Sequence, residues 1–416
     1  MAVKGTLAFS GDKSISHRAL MLASLAKGKS DIFNLSTGLD VTATQNCLVA
    51  CGIEFSQNAD KTITVFPHPF KSPRQTLDCQ NSGTTTRLLL GLLAGQGIQA
   101  TFKGDTSLSQ RPMKRILEPL SKMGLRFENN KYHLPITIGK SQLKGIYYSL
   151  PVASAQVKSS LLLAGLGATG TTTISEDILT RNHTEIMLRE LGATININGN
   201  SISVEPLNLP LTNFQLNVPG DPSSAAFLAA ATVISPHSEL TLKNLLLNPT
   251  RIEFFNTLKT MGAQIEFDNL NHQMGEKTGD VIITPGNLRG ISINSGEIPG
   301  LIDELPILAI TATQAEGETV VRGAQELRKK ESDRISAICN NLKRMGANIT
   351  ELEDGFIITG PTPLRGLKIQ TFGDHRIAMA FTIAGLISNG PVILDNPNCM
   401  SVSFPQFRSY LKTVVT

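Results

Sequence analysis

Residues Ser10 to Arg18 read SGDKSISHR and lead into an apolar run, ALMLASLA, from Ala19 to Ala26. A glycine followed by lysine and serine ahead of a helix is chemistry suited to an anion, because backbone N–H groups at a helix start and a nearby cation together hold phosphate or carboxylate. The nucleotide-binding loop G-x-x-x-x-G-K-[ST] has its second glycine directly before the lysine, so that successive N–H groups wrap the phosphates. Here five residues separate Gly5 from Gly11 where that motif has four, and Asp12 stands between Gly11 and Lys13. The nucleotide-loop reading fails on spacing and on charge.

The arrangement recurs along the chain. Six stretches are apolar almost all round and therefore read as buried helices: ISHRALMLASLAKG, GTTTRLLLGLLAGQG, SAQVKSSLLLAGLGATG, DPSSAAFLAAATVISP, DELPILAITATQAEG and DHRIAMAFTIAGLISNG. Their starts carry Lys13-Ser14, Asn81-Ser82-Gly83, Ser154-Ala155-Gln156, Asp221, Asp303 and Asp374-His375-Arg376. Serine, aspartate and asparagine there serve as N-caps. Capping does not explain Lys13, Arg18, Arg87 and Arg376, since the helix macrodipole disfavours a cation near a helix N-terminus. A local rule broken repeatedly at equivalent places points to function. If these helices run parallel within each half of the molecule, their ends converge on one anion-binding cleft.

A second kind of segment alternates with the first. Charged amphipathic stretches end in an apolar residue and a glycine, then a short β-prone run: CGIEF, MGLRF, LGATI, MGAQI and MGANI. The glycines, Gly52, Gly124, Gly192, Gly262 and Gly346, recur at intervals of 72, 68, 70 and 84 residues, the mark of a repeat architecture, and glycine just past a helix is the usual left-handed cap. The next interval would end at the C-terminus, where LKT at Leu411 echoes LKT at Leu258 and the cap is missing. Six units in two lobes of three, each alternating strands with one exposed and one buried helix, follow.

Composition narrows the class. The 416 residues carry 38 Lys plus Arg against 34 Asp plus Glu, a formal charge of +4, without a basic run, without tryptophan and with 4 tyrosines. That balance is too mild and too poor in stacking aromatics for nucleic acid, and leaves small anions as partners. Cys47, Cys51, Cys79, Cys339 and Cys399 are scattered; Cys47 and Cys51 lack a second pair for zinc, so buried thiols in a reducing cytoplasm are expected. Asp12 and His17 interrupt the basic flank of ALMLASLA and no A-x-A site closes it, which argues against a signal peptide. The longest apolar stretch, Ala225 to Ile234, is half a bilayer's width as a helix.

GDKSISHRAL, NSGTTTRLL, RPMKRILEPL, SAQVKSSLLLAGL, TRNHTE, DELPILA, RKKESDR and GDHRIAMA occur in this order, and together they resemble the ordered motifs of the 5-enolpyruvylshikimate-3-phosphate synthase family, from Lys4 to about Pro405. The resemblance implies an enolpyruvyl transferase-like, two-lobed inside-out α/β barrel of six βαβαββ repeats, three per lobe. One lobe comprises residues 1–11 and 220–416 and the other 12–219, with hinges near 11–12 and 218–220, and the family closes these lobes around its substrates. The implied reaction transfers the enolpyruvyl group of phosphoenolpyruvate to the 5-hydroxyl of shikimate 3-phosphate and releases phosphate, in the shikimate pathway to chorismate and the aromatic amino acids. It implies a cytoplasmic monomer without metal or organic cofactor, inhibited by glyphosate.

Carried over residue by residue, the resemblance places Lys13 against both substrates. Ser14, Arg18, Ser154, Ala155, Gln156, Arg181, Asp303 and Lys330 resemble shikimate 3-phosphate ligands. Asn81, Gly83, Arg111, Gln156, Arg334 and Arg376 resemble the phosphoenolpyruvate set. Catalysis would fall to Asp303 at the 5-hydroxyl proton and Glu331 near C3 of phosphoenolpyruvate, with Lys13 and with His375 as relay or positioning group. Read from spacing alone, Lys330 and Arg334 share a helix face, and Pro112 starts the helix after Arg111.

Three positions depart from patterns of the family. Leu88, read here as a first-turn residue, stands where one branch has proline, which resembles the less glyphosate-sensitive branch. Val402 stands where a lysine contact would be, and Gln80 where glycine is usual. The sister transferase acting on a UDP-sugar is the alternative, but its loop cysteine has no counterpart in KGDTSLSQRP, Lys103 to Pro112.

Overall fold

In the computed structural model, which describes residues 1–128 and 132–416, Gly52, Gly124, Gly192, Gly262 and Gly346 all adopt positive φ, between 91° and 113°. Only glycine takes this left-handed geometry without steric cost, so the periodic glycines end helices as the sequence predicts. The chain divides into two compact units: a first of Met1–Phe9, Pro219–Asn271 and Lys277–Thr416, and a second of Ser10–Val218 with His272–Glu276.

The second unit holds helices α1 (Lys13–Ala23), α2 (Leu39–Ala50), α3 (Gly83–Gly95), α4 (Thr106–Gln110), α5 (Lys114–Lys122), α6 (Ala155–Gly165) and α7 (His183–Glu190). Its apolar helices α1, α3 and α6 are buried along nearly their whole length. α3 and α6 approach so closely that a Cβ on Gly91 would overlap the Ser160 carbonyl oxygen, and one on Gly95 would lie 2.8 Å from that of Ala164. Among the described residues, three four-stranded sheets belong to this unit. Each combines a parallel pair, such as Tyr147–Ser149 with Thr172–Ser175, with antiparallel pairs, such as Thr172–Ser175 with Ser201–Val204.

The first unit holds α8 (Pro222–Val233), α9 (Glu253–Met261), α10 (Ile298–Leu301), α11 (Leu305–Ala312), α12 (Arg334–Arg344), α13 (His375–Ala384) and α14 (Phe407–Val414). Here α8, α11 and α13 are the buried apolar helices, and with Phe9, Phe404 and Phe407 they form one continuous core. Two four-stranded sheets accompany them, and the sixth repeat is reduced to two parallel strand pairs, Leu364–Arg365 with Ser388–Asn389 and Lys368–Ile369 with Ile393–Leu394. The sixth repeat ends at α14 without a capping glycine, as expected. The α/β class built from six repeats is the one the sequence implies. No described helix is long and apolar enough to cross a membrane, and all five cysteines are buried thiols.

Several local expectations need correction. α12 begins only at Arg334, because Asp333 takes the N-cap position and accepts from Ser336 N at 3.0 Å. Lys330 is extended and outside any helix, so it shares no helix face with Arg334. α5 starts at Lys114 rather than Pro112. Asp303 does not take the N-cap position of α11, which Glu304 holds without a side-chain bond. Leu88 is the sixth residue of α3 and fully buried, a second-turn position rather than a first-turn one. Arg18 and Arg87 likewise lie beyond the first turns of α1 and α3, where the macrodipole no longer acts, whereas Lys13 and Arg376 lie within theirs.

Candidate active site

Five of the six buried helices start on a side-chain cap: Asp12 for α1, Ser82 for α3, Ser154 for α6, Asp221 for α8 and Asp374 for α13. Caps fix where each helix begins, and so fix the side chains of its first two turns.

In the second unit, Asp12 Oδ1 accepts from Ile15 N at 2.8 Å, and the next residue, Lys13, pairs with Asp40 at 2.8 Å. Arg18, one turn further on, is buried. Its Nη1 donates to the Ser14 carbonyl at 2.9 Å, its Nε to Thr184 Oγ1 at 2.7 Å and its Nη2 to Ser159 Oγ at 2.7 Å. Burial lowers its pKa to about 10, opposed by the charge of Glu185, and Arg181, just ahead of α7, adds a second positive charge. Arg18 stays charged at neutral pH. His17 behind it is fully buried, contacts Thr44 Oγ1 at 2.7 Å and is pushed down to about 3 by burial, which keeps it neutral.

The start of α3 gathers a second set. Arg111 Nη2 donates to Asn81 Oδ1 at 2.9 Å, and Asn81 Nδ2 to Asp105 at 2.7 Å. Arg87 Nη1 donates to Gln156 Oε1 at 2.6 Å, while Gln156 Nε2 donates to Thr84 Oγ1 at 3.0 Å. Gly83 lies among these groups: a Cβ there would come within 2.8 Å of Arg87 Nη1 and 3.7 Å of Arg111 Nη1. Asn81, Gly83, Arg111 and Gln156 are thus brought together, and Arg87 joins them although no ligand was assigned to it from the sequence. Gln80 adopts φ 53°, a left-handed backbone that accounts for glycine being usual at that position. Ser154 and Ala155 stand at the start of α6 beside Gln156.

In the first unit, Arg334 is the centre of a carboxylate cage. It is nearly inaccessible, and it meets Asp374 at 2.8 Å, Glu331 at 2.7 Å and Asp303 at 3.5 Å. Burial acts to lower its pKa, but these three carboxylates outweigh burial and raise it. Lys330 reaches the same Asp303 oxygen at 3.6 Å. Asp303, Lys330, Glu331 and Arg334 therefore converge, although they share no helix. Asp374 Oδ1 caps α13 by accepting from Arg376 N at 2.9 Å, and Arg376 Nη1 lies 3.4 Å from Glu304 and from the Ser223 carbonyl. Asp221 at the start of α8 pairs with Arg251 at 3.0 Å. His375 is buried and lowered to about 4 by burial, against the pull of Asp374 and Glu331, so its imidazole is neutral at neutral pH. Arg251 lies in no motif that the sequence reading isolated, and Glu304, though part of DELPILA, was given no role there, because their partners lie tens of residues away. Among the described residues no cluster of histidine, cysteine and carboxylate suits a metal ion.

Residues 1–411 match the family model described as EPSP synthase (3-phosphoshikimate 1-carboxyvinyltransferase). A protein of Thermodesulfovibrio yellowstonii named 3-phosphoshikimate 1-carboxyvinyltransferase is 46% identical over 99% of this chain and 97% of its own. One of that name from Thermotoga neapolitana is 45% identical over 99% and 98%. The solved EPSP synthase of Acinetobacter baumannii superposes with a TM-score of 0.89 at 40% identity, covering 99% of this chain and 96% of its own. Matched along nearly its whole length, the chain belongs to the EPSP synthase family of 3-phosphoshikimate 1-carboxyvinyltransferases.

Proposed function

We propose the following division of labour for the reaction of this family, in which the enolpyruvyl group of phosphoenolpyruvate passes to the 5-hydroxyl of shikimate 3-phosphate and phosphate is released. In the second unit Ser14, Arg18, Ser154, Ala155, Gln156 and Arg181 hold shikimate 3-phosphate. Asn81, Gly83, Arg111 and Gln156 hold phosphoenolpyruvate, and Lys13 serves both. In the first unit Arg334 and Arg376 bind phosphoenolpyruvate, and Lys330 joins Asp303 on shikimate 3-phosphate. Asp303 takes the proton of the 5-hydroxyl as its oxygen attacks C2 of phosphoenolpyruvate and Glu331 delivers a proton to C3; a C3 proton then returns to Glu331 while phosphate departs with the proton held by Asp303, which restores the double bond and both carboxyl groups. His375, neutral at neutral pH, positions this group.

The observation that carries the reading is that Asp303 and Glu331, the two carboxylates needed for opposite proton transfers, are held by one guanidinium, Arg334, at 3.5 Å and 2.7 Å. A shared cation fixes both in place for general acid and base work. The test is Asp303→Asn, which keeps shape and removes the proton acceptor. Turnover falls by orders of magnitude while the dissociation constant for shikimate 3-phosphate stays within about threefold; unchanged turnover would remove Asp303 from the chemistry.

The relatives carry the name of the shikimate enzyme, which disfavours the UDP-sugar alternative. We further propose a cytoplasmic monomer that glyphosate inhibits weakly. Leu88, in the second turn of α3, keeps a backbone N–H that proline would delete, and so sets the helix start beside Gly83 differently. Inhibition by glyphosate as tight as in a proline-bearing relative, at equal saturation with phosphoenolpyruvate, would contradict this.

A further inference from the structure

Two buried arginines are held in opposite ways. Arg334 is caged by three carboxylates, so its charge is largely compensated at contact. The direct partners of Arg18 are all neutral oxygens: the Ser14 carbonyl and the hydroxyls of Thr184 and Ser159. A guanidinium has five N–H donors, and these contacts use three of them, one on each nitrogen. One N–H on each terminal nitrogen remains. A fixed, charged guanidinium whose direct contacts are all neutral and which keeps two donors is suited to receive an oxyanion.

The acceptors are themselves fixed. Thr184 Oγ1 donates to Ser159 Oγ at 2.8 Å, which links α7 to α6. α7 is short and has no side-chain cap, so its first turn depends on other restraints. Glu185 is paired with the buried Lys158 at 2.8 Å, and Lys158 is also bound to Glu176 at 2.6 Å. On the other side of Thr184, His183 Nδ1 meets Glu276 Oε1 at 2.7 Å. Glu276 comes from the segment His272–Glu276, which the chain returns to the second unit far from its other residues. His183, Thr184 and Glu185 are fully buried and Glu276 is 1% exposed. Three consecutive residues of α7 are thus tied to three different places, and the middle one aims Arg18.

We infer that Thr184, with Ser159, is a positioning residue for the substrate-binding guanidinium of Arg18, and that Glu276 fixes, through His183, the turn that presents Thr184. This rests on the reading of Arg18 as a shikimate 3-phosphate ligand. Neutral hydroxyls orient the arginine without neutralising it, which a carboxylate at either position would do.

The experiment measures KM for each substrate, kcat and melting temperature for Thr184→Val, Thr184→Ser, Ser159→Ala, Glu276→Gln and Arg18→Lys in the full chain. Losing one hydrogen bond to a charged group weakens binding by about tenfold or more. Thr184→Val therefore raises KM for shikimate 3-phosphate about tenfold, with KM for phosphoenolpyruvate and kcat within about twofold. Thr184→Ser restores the parent value, and Glu276→Gln raises the same KM by at least about threefold, as an indirect restraint gives less than the direct bond. Should Thr184→Val not fold, Ser159→Ala removes the other acceptor and carries the same expectation. A purely structural role would lower melting temperature without moving this one KM. If Arg18→Lys raises KM for shikimate 3-phosphate while Thr184→Val and Ser159→Ala do not, the positioning role is overturned and the ligand reading of Arg18 stands. If Arg18→Lys leaves that KM unchanged, both fall.

Discussion

Asp374 is the residue on which the first unit's cluster most depends. It is fully buried. Its Oδ2 accepts from Arg334 Nε at 2.8 Å and Ser332 Oγ at 3.1 Å, and its Oδ1 from Arg376 N at 2.9 Å and Arg334 Nη2 at 3.3 Å. One carboxylate thus caps α13 and anchors the arginine that holds Asp303 and Glu331. Asp374→Asn preserves volume and an oxygen for the cap, worth about 1 kcal/mol, but removes the charge and sets an amide donor against the guanidinium. Breaking a buried ion pair costs about 3–5 kcal/mol. Arg334 keeps Glu331 at 2.7 Å and Asp303 at 3.5 Å, which puts the loss at the lower end, about 3 kcal/mol. For a unit of about 200 residues that is a drop of about 6–12 °C in melting temperature. Arg334, turned toward its remaining partners, and Arg376, with its helix start loosened, then hold phosphoenolpyruvate less well, raising its KM by about tenfold for each 1.4 kcal/mol lost. Heat unfolding followed by circular dichroism, with steady-state kinetics on the same preparation, measures both. A melting temperature within about 1 °C of the parent together with an unchanged KM for phosphoenolpyruvate would refute the reasoning.

Three further outcomes follow from buried groups. His17 titrates near 6.5 when unfolded and is lowered to about 3 in the fold, so below pH 6.5 the unfolded chain takes up a proton that the folded chain refuses, and stability falls by about 1.4 kcal/mol per pH unit down to about pH 3. His17→Asn makes urea-measured stability between pH 6 and pH 4 shallower by about that slope, and an unaltered slope contradicts the neutral assignment. Gly91→Ala forces a methyl against the Ser160 carbonyl and destabilises by about 1–3 kcal/mol, read as a lower urea midpoint, whereas a neutral or stabilising effect would mean α3 and α6 are less close than described. Lys158→Met strands the buried Glu176 and Glu185 and costs about 3–5 kcal/mol; a urea unfolding loss below about 1 kcal/mol would show that the cluster is not ionised.

Local features were the legible ones. A cap reaches two or three residues along the chain, so Ser82, Ser154, Asp221 and Asp374 could be read directly and bond as caps, whereas α1 starts on Asp12 rather than Ser14 and α11 on Glu304 rather than Asp303. The helix-ending glycines, tied to backbone geometry alone, were equally plain. Where two local rules competed, spacing misled. In RKKESDR the i, i+4 rule favoured one helix from Lys330, but Asp333 is the better cap and starts α12 at Arg334. Lys330 still reaches Asp303, since a long side chain needs no shared helix. Partner choice among buried charges was not legible at all. Arg18 finds Thr184, His183 finds Glu276 and Arg251 finds Asp221 because folding brings distant segments together, and no spacing in the chain encodes such pairs. Leu88, read as a first-turn residue, is instead the sixth residue of α3, which starts at Gly83.

Phosphate release by the purified protein, supplied with shikimate 3-phosphate and phosphoenolpyruvate, tests the central claim most directly. Phosphate appears in equal amount to the shikimate 3-phosphate consumed, needs both substrates and no added metal, and is lost in Asp303→Asn. Release that proceeds without shikimate 3-phosphate, or that occurs only when a UDP-sugar replaces it, would contradict the account.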